Sequence, residues 1–149
     1  KAMAGMGVQN LCCINIAKGD TSSDLRDKGA SRGVAEAGIN LLNTTYGITV
    51  TTDMTKTIES YIAAYPEMDG ILMLGTYCEA ALPTIEKALS DHGKAGEVKV
   101  GRIDFDSTMG EYLEDPEGKE TPFLGAFGEL CDGQLTVGEI MLWNTLRCR

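Results

Sequence analysis

A few side chains suited to gripping a polar ligand recur at corresponding points of this chain, each just beyond an apolar run. Arg26 follows the first run and the turn Gly19-Asp20-Thr21-Ser22-Ser23-Asp24. Its planar fork of donors can hold two neighbouring oxygens at once. Asp104 comes directly after Val98–Ile103, and its carboxylate oxygens can accept hydrogen bonds from adjacent hydroxyls, the arrangement a sugar presents. Thr76 and Tyr77 follow Gly70–Leu74 and offer a hydroxyl and a ring for stacking, and Glu129 follows Phe123–Phe127. Each has a plainer reading. Arg26 can pair on the surface with Asp24 or Asp27, Thr76 can cap a helix, and Tyr77 can cover a sheet edge. Asp104 can cap a helix at Ser107, although Asp106 is better placed for that. His92, beside Gly93 at a helix end, reads as structural.

The same residues exclude several chemistries. No nucleophile and base are assigned to one another, and no metal-ligand spacing is present. The Gly19–Asp24 turn lacks the lysine of a phosphate-binding P-loop and the three glycines of a dinucleotide fingerprint, and its carboxylates oppose a bound phosphate. No general-base constellation emerges from these positions, and they imply no cofactor and no metal. A net charge of -9 and a pI near 4.5 repel nucleic acid and anionic lipid, leaving small molecules and proteins as partners. The cysteines are Cys12, Cys13, Cys78, Cys131 and Cys148. Their odd count and the lack of a C-x-x-C pair exclude a complete disulfide framework and a redox motif. Cys12 and Cys13 are neighbours in a strand, so they point to opposite faces as small buried hydrophobes.

These residues need elements to position them. Strand-like runs occur at Leu11–Ala17, Ile48–Thr52, Gly70–Leu74, Val98–Ile103 and Phe123–Phe127, with helical periods between them. The alternation predicts an α/β three-layer sandwich around a mostly parallel five-stranded sheet. The first helix carries Leu25, Ala30, Val34, Ala37 and Leu41 as an apolar stripe, with Arg26 in its first turn, where a cation opposes the helix dipole. The second carries Met54, Ile58, Tyr61, Ile62 and Tyr65 and stops at Pro66. The third carries Leu82, Ile85, Ala88 and Leu89, and starts either with a Thr76–Glu79 capping box or at Pro83. A short helix is predicted from Ser107 to Glu114. The last, over 133–147, is apolar around most of its circumference and wants more than one neighbour. With a helix after each strand, the strand order is flavodoxin-like, 2-1-3-4-5. Ligands of such open sheets bind beyond the carboxyl ends of the strands, which gathers Arg26, Thr76, Tyr77, Asp104 and Glu129 on one edge.

The series GDTSSDLRDKGASRGVAEAG, PEMDGILMLGTYCEAALPTIEKALSDHG and EVKVGRIDFDSTMGEYLED resembles the C-terminal lobe of type I periplasmic sugar-binding proteins, which share their fold with the effector-binding core of LacI-type repressors. The resemblance runs over about residues 9–128. It implies that Arg26, before Asp27-Lys28-Gly29, clamps sugar hydroxyls, and that Asp104, ending Val100-Gly101-Arg102-Ile103-Asp104, binds the ligand. Gly75-Thr76-Tyr77 departs from the family's Asn-Asp pair. Gly128-Glu129 stands where Asn or Gln is common, which keeps Glu129 as a secondary candidate.

The family pairs two lobes of similar size, so the resemblance implies that these residues form a single sugar-binding lobe, 1–149. The helix over 133–147 would then pack on a missing lobe or on a partner chain, a homodimer contact among them. It further implies the solute-binding component of an ABC importer, which closes on a sugar by hinge motion and is read by a membrane permease. Such a protein is extracytoplasmic, periplasmic or a cell-surface lipoprotein, with a leader absent from this sequence. No run of about 18 apolar residues that would form a spanning helix is present. The alternatives are the effector-binding core of a LacI-type repressor and a flavodoxin-like domain with Thr21–Ser23 as a phosphate loop.

Overall fold

In the computed structural model, the residues described are 2–76, 78 and 80–103, together with the backbone of 123–127. The chain runs α1 (Ala2–Gly5), β1 (Asn10–Asn15), α2 (Thr21–Ala37), β2 (Asn40–Tyr46), α3 (Thr51–Ala64), β3 (Gly70–Met73), α4 (Ala81–Asp91), β4 (Lys99–Ile103) and β5 (Phe123–Phe127). The strands form one sheet in the order β2-β1-β3-β4-β5, and every pairing is parallel. This is the predicted order. The short helix at Ser107–Glu114 and the helix over 133–147 lie outside the described residues.

Alternation along the strands divides the core in two. Cys12 and Ile14 of β1, Ile71 and Met73 of β3, and Val100 of β4 point to one face, where Met54, Ile58 and Tyr61 of α3 and Leu82, Ile85, Ala88 and Leu89 of α4 bury them. Leu11 and Cys13 point to the other, with Leu74 beyond β3, against Met3 of α1 and Val34 of α2. The result is the expected three-layer sandwich, with Cys12 and Cys13 back to back. Burial pushes both thiols up to about 12, so neither is a nucleophile near neutral pH. Among the described residues no helix is long and apolar enough to cross a membrane.

Two elements depart from the sequence reading. The second strand is Asn40–Tyr46, and Ile48–Thr52 supplies a loop and the start of α3. The β-branched run Ile48-Thr49-Val50-Thr51-Thr52 has the higher strand propensity, but β2 is an edge strand with mostly half-buried or exposed residues, so little apolar character marks it. Ile48 is buried and roots the loop in the core, whereas Val50 is half exposed and caps α3 without a side-chain bond. The stripe of α2 is also displaced. At 100° per residue, Ala30, Val34 and Ala37 share a face with Ser23, while Leu25 falls well off it. Ser23 is fully buried, Leu25 is 62% exposed, and α2 ends at Ala37 with Gly38 in the left-handed region at φ 71°. Leu41 therefore belongs to β2.

The third helix begins at Ala81, so Pro83 sits in its first turn, where its missing N–H costs nothing. Tyr61 locks α3 onto the sheet. Its buried hydroxyl donates to the Cys13 carbonyl at 2.8 Å and shares a 2.7 Å bond with Thr45 Oγ1. Removing that hydroxyl deletes both bonds, so Tyr61→Phe should destabilise the fold by about 1–3 kcal/mol in urea unfolding, the net worth of two such bonds. A loss below the error of that measurement would show the bonds to be replaceable.

Candidate functional site at the carboxyl edge of the sheet

The register aligns the strand ends. Asn15 pairs with Tyr46, Ile14 with Met73, Met73 with Arg102 and Ile103 with Phe127. The next rank across the edge is thus Tyr46, Asn15, Leu74, Ile103 and Phe127, and the loops that leave it carry the candidate residues.

Helix α2 is started by Asp20, whose carboxylate accepts from the Ser23 N–H at 2.9 Å and from Ser22 Oγ at 2.6 Å. These bonds, the Ser22 hydroxyl foremost, hold the Asp20 carboxyl below the usual carboxylate range. Asp24 accepts from the Gly19 N–H at 3.0 Å, in a turn where Gly19 adopts φ 83°. The predicted capping turn is therefore formed, with Asp20 as the cap.

Because α2 starts at Thr21, Arg26 lies in its second turn, not its first, and the dipole penalty expected for it is correspondingly smaller. Four residues before Ala30, it lies close to the inward stripe but beyond the end of the sheet. Its Nη1 donates to the Leu74 carbonyl at 2.8 Å, which brings the guanidinium to the rank of strand ends. Gly75 makes the approach possible. A β-carbon there would stand 2.8 Å from Arg26 Nη1 and 2.7 Å from Ile16 Cγ1.

Asp27 faces the other way. Its Oδ1 accepts from Asn15 Nδ2 and its Oδ2 from the Tyr46 hydroxyl, both at 2.8 Å. Asn15 is buried. Its amide also donates to the Ser23 carbonyl at 2.9 Å and accepts from the Ile16 N–H at 2.8 Å. Partial burial and the Asp27 carboxylate push the Tyr46 hydroxyl up to about 12, so it stays a donor at neutral pH. Lys18 Nζ lies 5.5 Å from the centre of the Tyr46 ring. Asn15, Asp27 and Tyr46 were not singled out from the sequence as site residues. The signal was a lone polar residue inside the apolar run Leu11–Ala17, which, once buried, must find partners.

Helix α4 starts at Ala81 with Ala80 as its N-cap, so Thr76 lies ahead of its first turn, and Glu79 is outside the described residues. Thr76 Oγ1 donates to the Ile48 carbonyl at 3.0 Å and accepts from the Cys78 N–H at 3.1 Å, stapling the loop after β3 to the loop after β2. Tyr77, Asp104 and Glu129 lie outside the described residues, although β4 ends at Ile103, immediately before Asp104 in the chain. His92 caps the carboxyl end of α4, as expected, far along the chain from the edge residues. A cavity of about 310 Å³ runs under α2, between Ala2, Met3, Gly33, Val34 and Leu72, and reaches Arg26. Apart from Arg26 its lining is apolar, so a sugar there would leave most of its hydroxyls unpaired. The polar groups converge on the edge instead.

No protein-family model matches the sequence, and no curated protein does. Solved structures do match, and they define the fold as that of one lobe of periplasmic sugar-binding proteins. The chain is similar to an ABC-transporter periplasmic solute-binding protein from Actinobacillus succinogenes with bound D-allose, at TM-score 0.66 and 20% identity, over 76% of this chain and 40% of that one. It is similar to a solute-binding protein from Bacillus halodurans with bound myo-inositol, at TM-score 0.64 and 18% identity, over 79% and 40%. It is also similar to a periplasmic ribose ABC-transporter protein from Conexibacter woesei, at TM-score 0.62 and 12% identity, over 76% and 37%. The matched part thus spans about 40% of the length of the first two.

Two expected outcomes follow from this geometry. Gly75→Ala should displace Ile16 or Arg26 and lower stability by about 1–3 kcal/mol, the usual cost of overpacking; an unchanged urea midpoint would show that the edge yields freely. The Asp20 carboxyl is held below its unfolded value near 3.8, so its stabilising contribution is complete above that pH and is lost as pH falls through the folded value. Asp20→Asn should therefore flatten the fall in Tm between neutral pH and pH near 2. An acid limb unchanged in the variant would exclude Asp20 as a source of it.

Proposed function

We propose that this chain is a sugar-recognition lobe of an extracytoplasmic solute-binding protein of an ABC importer, a binder and not a catalyst. The observation that carries the reading is the Arg26 guanidinium, held on the Leu74 carbonyl at the carboxyl edge of a parallel sheet, in a fold shared with proteins solved with D-allose and myo-inositol. Arg26 is the bidentate donor to adjacent hydroxyls, and Asp104, next after β4, is the matching acceptor. Tyr77 offers a stacking face and Glu129 a further acceptor. Thr76, already tied to the Ile48 carbonyl, acts mainly by fixing the loop that carries Tyr77. The sugar bridges this edge and a second lobe, hinge closure follows, and a membrane permease reads the closed form.

One lobe supplies only part of the contacts, so binding by these 149 residues should be weak. Saturation-transfer NMR with D-allose, D-ribose and myo-inositol reads weak binding directly. At least one should give a signal with the wild-type chain, and Arg26→Ala and Asp104→Ala should each abolish it. Wild-type signals in both variants would refute the site, no signal with any of the three would count against sugar recognition, and a micromolar Kd would refute the dependence on a second lobe.

A further inference from the structure

We propose that Asn15, Asp27 and Tyr46 form a positioning unit that sets the rotation of α2 about its own axis and thereby aims Arg26 at the ends of β3 and β4. The inference deepens the sugar-binding reading, on which its functional meaning rests, but its geometric content stands on the bonds alone.

Arg26 and Asp27 are neighbours in α2, about 100° apart around the helix, and they straddle its inward direction. The sheet order places β1 between β2 and β3. Asp27 is drawn to the β2–β1 side by the Tyr46 hydroxyl and the Asn15 amide, and Arg26 lies on the β3 side, on the Leu74 carbonyl. Asn15 adds a second tether one turn earlier, at the Ser23 carbonyl. Two anchor points on successive turns, both bonded to strand ends, leave the first half of α2 no freedom to roll.

That restraint matters because the rest of the helix supplies little of it. The inward stripe of α2 is made of small residues, Ala30, Val34 and Ala37, with Gly29 and Gly33 beside them. Such a surface has few large side chains to interlock with the sheet and define a rotation. A roll of α2 would carry the guanidinium away from the strand ends. Both carboxylate oxygens of Asp27 are engaged by donors on the β2–β1 side.

The test reads Arg26 without any sugar. In 15N-labelled protein the Arg26 Nε–H cross-peak, assigned by its absence from Arg26→Lys, should be displaced from that of Arg32, whose side chain is 80% exposed. Asp27→Ala and Tyr46→Phe should collapse the Arg26 peak onto the averaged position of Arg32 at a temperature where the backbone spectrum shows both variants folded. Asp27→Asn should keep it displaced, because the amide oxygen still accepts from Asn15 while the amide N–H can donate to the Tyr46 hydroxyl oxygen, so both tethers survive without the charge. An unmoved Arg26 peak in Tyr46→Phe overturns the proposal, and so does an equal collapse in Asp27→Asn and Asp27→Ala, which would mean that Asp27 acts by charge alone. If Asp27→Ala does not fold, Tyr46→Phe decides. Failure of the sugar reading shows elsewhere, as wild-type protein that gives no sugar signal, and leaves these spectra to stand or fall separately.

Discussion

Parallel pairing is the constraint on which the rest of this structure depends. Because β2, β1, β3, β4 and β5 all run the same way, their carboxyl ends form one edge, and every loop leaving them starts from the same side. The pairing also buries the middle of the sheet on both faces, which is why β1 and β3 are continuous apolar runs. Among the described residues the buried polar side chains are Asn15 at the end of β1, Ser23 in the first turn of α2 and Arg102 one residue before the end of β4. Asn15, the last residue of β1, is the first place where the chain can hold a buried polar side chain, and it does so by satisfying the amide on α2 and on its own backbone.

The edge is correspondingly polar and tied together. Asn15 and Asp27 join β1 to α2, Tyr46 adds the end of β2, Arg26 adds the end of β3, and Thr76 links two loops. The opposite edge is held differently. There the Asp69 carboxylate accepts from the N–H groups of Gln9 and Asn10, and the Asp69 backbone pairs with Asn10 and Lys99. These bonds set the register of β1, β3 and β4 at their start, and with it the level at which Arg26 meets Leu74. The fold is shared with solved structures at 12–20% identity, since a buried parallel sheet asks for an apolar pattern that many sequences satisfy.

Much of this was legible in the sequence. The strands β1, β3, β4 and β5, the helices α3 and α4, the sheet order and the opposed faces of Cys12 and Cys13 follow from apolar runs and periods that tertiary packing reinforces. The second strand was not legible, because an edge strand buries little and the β-branched run after it looked better. Neither was the rotation of α2. Leu25 drew the stripe the wrong way, whereas a serine, Ser23, takes the buried position, and hydrogen bonds more than apolar area set the helix. Arg26 was recognisable as a ligand candidate from its place after the first strand. Its supporting residues were not, because Asn15, Asp27 and Tyr46 come from three elements and meet only once the register is known.

The central claim is that this polar edge, and not the apolar cavity beneath α2, is where a sugar binds. Chemical-shift mapping of the backbone amides during titration with D-allose tests it most directly. The account predicts that the amides of Arg26, Leu74, Gly75 and Thr76 shift together and saturate together, while those of Gln9, Asn10 and Asp69 at the opposite edge stay still. Shifts confined to Met3, Gly33, Val34 and Leu72 around the cavity would contradict it.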